Sequence, residues 1–312
     1  MDKDNVLDYR LFDGDDDAET VAYKQILNGV ISQTLPPAEA ARQMDEWVTQ
    51  EAVSRLTKFE DRNPPLSLSD EEMDNIHLVA PNPSRHMDMM IGSIARVSSA
   101  CPPGHPSQTR LVEFLQALKE LPRHEVPNVS YDENHAPVWG TKVIWPFGTE
   151  ASEFFVPLFQ REATDLAYPY SDVETPGSES QIRWRNLQSF MAQLTTLDLI
   201  DCRSASALNY ILPSFYAYPD LDQRGQDGTR RIAADLEAAA QWLLPDDART
   251  WVRRRCMENA GELWTEGNWD IWRQQLAFFA NDERFPAATR ALAAAIQAKI
   301  EGSRADQRCN DN

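Results

Sequence analysis

At 312 residues the chain is long enough for one large or two ordinary domains with a sizeable core. Its 49 acidic side chains against 30 basic ones leave a formal charge of -19, a field that repels nucleic acid and anionic lipid and argues against both as partners. No run of eighteen apolar residues exists, and the opening MDKDNVLDYRLFDGDDD is acidic where a leader peptide is basic and then apolar, so the reading is a soluble cytoplasmic protein.

Residues 1–17 carry seven aspartates against Lys3 and Arg10, which predicts a disordered acidic arm, either solvated filler or a docking tail. Ala18, Val21, Ala22, Ile26, Val30 and Ile31 then mark a helix that Pro36 and Pro37 end while opening a second one. That second helix reaches about Phe59 with Met44, Trp47 and Val48 inward. Ser69 and Glu72 form a capping-box pair before a short helix, and Pro81 and Pro83 break it. Met87, Met90, Ile91, Ile94 and Val97 stripe the next helix, and Leu111, Phe114, Leu115 and Leu118 the one after it.

Residues 122–180 are proline-rich and irregular, a long excursion with room for a short β-hairpin in PVWGTKVIWPFG and a helix-like stretch in ASEFFVPLFQREATDLA. Beyond it, Trp184, Leu187, Phe190, Met191 and Leu194 fall at spacings of three and four. Asp201 caps a second helix through Ala205, Leu208, Ile211 and Leu212, stopped by Pro213. This pair reads as an antiparallel αα-hairpin with an apolar seam. Ile232, Leu236, Ala239 and Trp242 stripe the next helix, Trp269, Trp272, Leu276 and Phe279 a later one, and Leu292, Ile296 and Ile300 the last. The pattern predicts an all-α fold: an irregular multi-helix bundle of about ten helices with αα-hairpins. One domain spans residues 18–302 (N-terminal helices 18–121, excursion 122–180, C-terminal helices 181–302), followed by a disordered tail at 303–312.

WRNLQSFMAQLT, AAAQWLL, GELW and NWDIWRQQLAFFA, in that order, resemble a fungal helical family, domain of unknown function 3632. Its pattern falls on Trp184, Asn186, Leu187, Phe190, Ala192, Leu194 and Thr195, then on Gly261, Leu263 and Trp264, then on Trp272. FFVPLFQRE, around Pro157, Leu158 and Phe159, is similar to a further family segment. The resemblance covers residues 105–302 and departs at Pro213 and in the loop before Gln181. It implies an all-helical fold, a fungal source and a setting near secondary-metabolite assembly. It carries no activity or catalytic residue to transfer.

The chemistry-bearing residues are sparse. Cys101, Cys202, Cys256 and Cys309 lie far apart without C-x-x-C pairing and read as reduced thiols. His77, His86, His105, His124 and His135 show no helical pair spacing, so no metal is expected, and no phosphate-loop or nucleotide fingerprint calls for a cofactor. Asp132, Glu133 and His135 set two carboxylates beside an imidazole, either a weak catalytic cluster or a solvated turn. Arg253, Arg254 and Arg255 could clamp an anion or pair along the helix with Glu258 and Glu262. Trp184, Trp264, Trp269 and Trp272 read either as core or as the lining of an aromatic pocket for an apolar small molecule. The excursion, through Trp139 and Trp145, would then lie over them as a lid with His135 and Arg161 at its mouth. Two functions follow. The first is an accessory protein of secondary-metabolite biosynthesis that binds an apolar intermediate, as a carrier or a cofactor-independent cyclase or isomerase. The second is a non-catalytic scaffold that docks a protein partner.

Overall fold

The computed structural model describes residues 7–162, 164–165, 177–215, 218–261 and 263–310. Among the described residues there are twelve α-helices and one sheet of two strands, and the structure is 67% helical, as the helical periodicity predicts. The chain divides into two compact units. An N-terminal unit takes Asp8–Val97 and Gly104–Phe159, and a C-terminal unit is built mainly from Gln160–Asn312 with Ser98–Pro103.

In the N-terminal unit, α1 (Ala18–Ile31) starts where the Asp17 carboxylate accepts the Thr20 amide at 2.7 Å. The aspartates before it do not form the expected loose arm: Asp13 and Asp16 hold the buried Lys24 ammonium at 3.2 and 2.7 Å, and Leu11 is buried. Charge counting missed this because the neutralising cation lies eight to eleven residues along the chain. Residues 1–6 lie outside the described residues. α2 (Pro37–Glu60) follows with proline in its first turn. Then come α3 (Asp70–Asp74), closed by the Ser69–Glu72 capping box, α4 (Ile76–Val79), α5 (Pro83–Ala100) and α6 (Pro106–Glu120).

Glu19 is a half-buried ionic knot of this unit. Its carboxylate bonds His86 Nε2, Arg85 Nη1 at 3.2 Å and Arg55 Nη2 at 2.7 Å, and Arg55 also reaches the Leu78 carbonyl at 2.6 Å. Burial raises the Glu19 carboxyl, but the His86 hydrogen bond and the surrounding cationic groups outweigh it and leave it below the usual glutamate range.

The β-hairpin of the excursion begins earlier than the expected 137–148. β1 (Glu125–Tyr131) pairs antiparallel with β2 (Pro137–Val143), in a register that sets Val129 opposite Trp139. Its turn is made by Asp132, whose carboxylate accepts the Asn134 and Ala136 amides at 2.8 Å. Trp139 lies 5.0 Å from the Phe59 ring of α2, and Trp145 donates its indole N–H to Asp45 of α2 at 2.6 Å. The hairpin and the Trp145 segment therefore pack on α2. α7 (Thr149–Glu162) closes the unit's chain, with Phe155 at 5.1 Å from Phe154 and 6.1 Å from Phe147.

In the C-terminal unit, α8 (Glu179–Thr196) buries Trp184, Leu187, Phe190, Met191 and Leu194, the face its spacing predicts. The α-helix expected after Asp201 is instead two 3₁₀ turns, Arg203–Ala205 and Ala207–Ile211, although Leu208 and Leu212 are buried as anticipated. A tertiary clamp replaces the helical ladder: the fully buried Gln188 donates to the Ala205 carbonyl at 2.9 Å and accepts the Ala207 amide at 2.8 Å. Ser206 between them is extended and caps the second turn through Leu208 N. α9 (Leu221–Leu243) bends at Gly225, whose φ of 56° suits glycine. α10 (Asp246–Met257) and α11 (Glu266–Asn281) follow, and α12 (Ala287–Asn310) continues through the segment expected to be a disordered tail.

Candidate functional site

α10 begins directly after Pro245, which cannot continue α9, and its first turn carries Asp246 and Asp247, where the helix dipole favours anions. Ala248, Trp251, Val252 and Cys256 turn inward and are buried. Two neighbouring rows remain, Arg249–Arg253–Met257 and Thr250–Arg254–Glu258, each stepping by four residues. These rows form one wall of a groove of about 460 Å³, which Trp269 of α11 and Ile300 of α12 complete. The volume lies within the range of small-molecule sites, on the order of 300–1,000 Å³. The groove's lining is apolar at Met257, Trp269 and Ile300 and charged at three arginines and one glutamate.

The arginines are not equivalent. Arg249 is buried and already engaged: Nη1 donates to the Leu243 and Leu244 carbonyls at 3.3 and 3.2 Å, and Nη2 to Asp246 at 2.9 Å. It ties the end of α9 to the start of α10. Arg255 pairs with Glu258 at 3.1 Å and sits 5.2 Å from the centre of the Trp251 ring, while Glu262 lies outside the described residues. Arg254 is exposed and also lines an adjoining concavity with Thr196, Leu197 and Trp251. Arg253 and Arg254 line the groove.

The aromatic residues singled out from the sequence divide as well. Trp264 is surrounded by Trp251 at 5.7 Å and by Trp242 and Trp272 at 6.0 Å, so these rings pack on one another. Trp242 donates to Gln188 Oε1 at 2.6 Å and Trp272 to the Leu208 carbonyl at 3.0 Å. Trp184 lies edge-on to Tyr210 at 5.9 Å. Of the candidates, Trp269 lines the groove, and Trp139 and Trp145 find their partners on α2 in their own unit. Arg161 ends α7, exposed, with Glu162 at 3.8 Å.

Asp132, Glu133 and His135 are all exposed in the hairpin turn. His135 has a φ of 60° there, and its amide donates to the Asp132 carbonyl at 3.0 Å. The Asp132 carboxylate is occupied in shaping that turn. Burial pushes the Cys256 thiol up to about 12 and raises that of Cys202 as well, which makes these two poor nucleophiles. Among the described residues, no three His, Cys, Asp or Glu side chains lie close enough together to hold a metal ion. Met257, Thr250 and Ile300 were missed in the sequence, although the i, i+4, i+8 rows of α10 were there to be read.

The family model described as a protein of unknown function (DUF3632) matches residues 90–277. The chain belongs to this family. The match runs from α5 into α11, starting and ending earlier than the 105–302 expected, so the DUF3632 stretch includes the α10 wall and Trp269 while Ile300 lies beyond it. No curated protein and no solved structure matches the chain.

Proposed function

We propose that this protein is a non-catalytic binding protein that holds an apolar small molecule in the groove of α10, α11 and α12. Its setting is the secondary-metabolite assembly that the family resemblance implied. One observation carries the reading: Met257, Trp269 and Ile300 give apolar lining to a concavity of about 460 Å³ within one unit. A catalytic role has less support, because Asp132, Glu133 and His135 form an exposed turn and Glu258 is engaged by Arg255.

Quenching of tryptophan fluorescence by a panel of fused-ring aromatic compounds tests it. The outcome in favour is a saturable, one-to-one titration weakened by Met257→Asp, a change at a half-exposed position that leaves the core intact. A flat titration across the panel overturns the reading. It would leave the scaffold function, which draws on Tyr131, Val138 and Val143 standing exposed on the hairpin.

A further inference from the structure

We propose that the outer edge of β2 pairs with β2 of a second copy of this chain, joining two hairpins into one antiparallel sheet about a two-fold axis at Thr141. The hairpin's own ladder shows which backbone groups are left for this. Asp132 N donates to the Ala136 carbonyl and Ile144 N to that of His124, so the even-numbered pairs between them, such as Ser130 with Val138, carry the bonds between β1 and β2. The odd-numbered residues turn their N–H and C=O groups outward, and Pro127 and Pro137, which have no N–H to give, both fall at such positions. The outer edge of β1 is guarded by Pro127 and by Val129, whose N–H is given to the Pro81 carbonyl at 3.0 Å. The outer edge of β2 is open: the backbone N–H and C=O groups of Trp139, Thr141 and Val143 have no hydrogen-bond partner among the described residues. Lys142, the one charge on β2, is drawn away to Ser84 Oγ of α5 at 2.6 Å.

Charge and register select a second copy as the occupant. At a formal charge of -19, two copies repel wherever their carboxylates meet, yet residues 136–148, which include all of β2, hold no Asp or Glu. A basic partner strand laid along this edge would find no carboxylate on β2 to meet it, whereas a strand as neutral as β2 itself meets no repulsion there. With the axis at Thr141, all three outward amides of each strand reach a carbonyl: Thr141 pairs with the partner's Thr141, and Trp139 with the partner's Val143. Val143 is exposed and shares a face with Trp139, so each valine gains an indole neighbour, a favourable cross-strand pair. The antiparallel arrangement also points the two acidic turns at Asp132 and Glu133 in opposite directions. The guarded edge of β1 then bounds the sheet on both sides, and pairing stops at two copies.

Sedimentation velocity of the full chain tests this. A strand-edge contact belongs with small, weak interfaces, so dimerisation is read over about 1–200 µM, where the mass should rise saturably from the monomer's to twice it. Raising salt from about 50 to about 500 mM should strengthen the dimer, because it screens the repulsion between two acidic copies. Thr141→Pro deletes the central outward amide at a position where the cross-strand neighbour, Pro127, already shows that the hairpin accepts proline. It should weaken the dimer at least about tenfold, for the two central hydrogen bonds it removes, with an unchanged circular dichroism spectrum. In the wild type, amide exchange at Trp139, Thr141 and Val143 should slow as concentration rises while that at Tyr131, on the outer edge of β1, does not. A mass that stays at the monomer value, one that climbs past twice it, or a dimer that Thr141→Pro leaves as strong overturns the proposal. If Thr141→Pro alters the fold, the wild-type exchange decides, and rates at those three amides that do not depend on concentration overturn it.

Discussion

Gln188→Met removes a polar hub while keeping the side chain's length. Gln188 is fully buried, and three groups depend on it: the Trp242 indole N–H at 2.6 Å, the Ala207 amide at 2.8 Å and the Ala205 carbonyl at 2.9 Å. Each buried group left without a partner costs about 1–3 kcal/mol, and the methionine recovers part of this because it needs no hydrogen bonds of its own. A net loss of about 3–6 kcal/mol follows, large against a total stability of roughly 5–15 kcal/mol. Urea unfolding followed by tryptophan fluorescence reads it, since six of the nine tryptophans lie in the C-terminal unit. The reasoning also requires coupling. Trp242→Phe deletes one of the stranded donors, so its cost in the Gln188→Met background should be lower than in the wild type by about 1–2 kcal/mol. A loss below about 1 kcal/mol for Gln188→Met, or strict additivity of the pair, would refute the view that Gln188 sets the 3₁₀ turns.

Phe190→Ala empties a fully buried site on α8 and should destabilise by about 3–5 kcal/mol in the same urea experiment, whereas a loss under about 1 kcal/mol would mean that this face is not core. The Glu19 knot gives an acid-side dependence. Its carboxyl lies below the ordinary value of 4.5 in the folded state, so its contribution is present above that pH and is lost as pH falls through the lower folded value. Hydrogen exchange of α1 amides across that window should therefore show the N-terminal unit loosening with acid. Glu19→Gln should flatten the dependence, and an unchanged slope in the variant would rule Glu19 out as its source.

The legible parts of this chain were those whose causes are local. Ser69 and the prolines at positions 37 and 83 act within one turn of themselves, and the three-four spacing along α8 and α9 marks faces that are buried as expected. What was not legible depends on residues distant in sequence. Ala205–Leu212 has the apolar spacing of an α-helix, but a side chain seventeen to nineteen residues earlier supplies its hydrogen bonds and holds it in 3₁₀ turns. Trp139 and Trp145 announced that the excursion rests on something, and no local pattern could say that the surface is α2. The groove was half legible. Trp269 and the arginine run stood out, while the distinction between Arg255, held by Glu258 and Trp251, and Arg254, left exposed, needs three-dimensional neighbours.

The most direct measurement is the set of indole N–H resonances in a nitrogen-15-labelled sample titrated with 2-naphthoate, with Trp269 assigned through Trp269→Phe. A ligand seated between α10, α11 and α12 should shift the Trp269 resonance in a saturable way and leave Trp242 and Trp272, whose indoles are bonded inside the core, where they were. Shifts confined to other tryptophans, or no saturable shift at any indole, would contradict a ligand site in this groove.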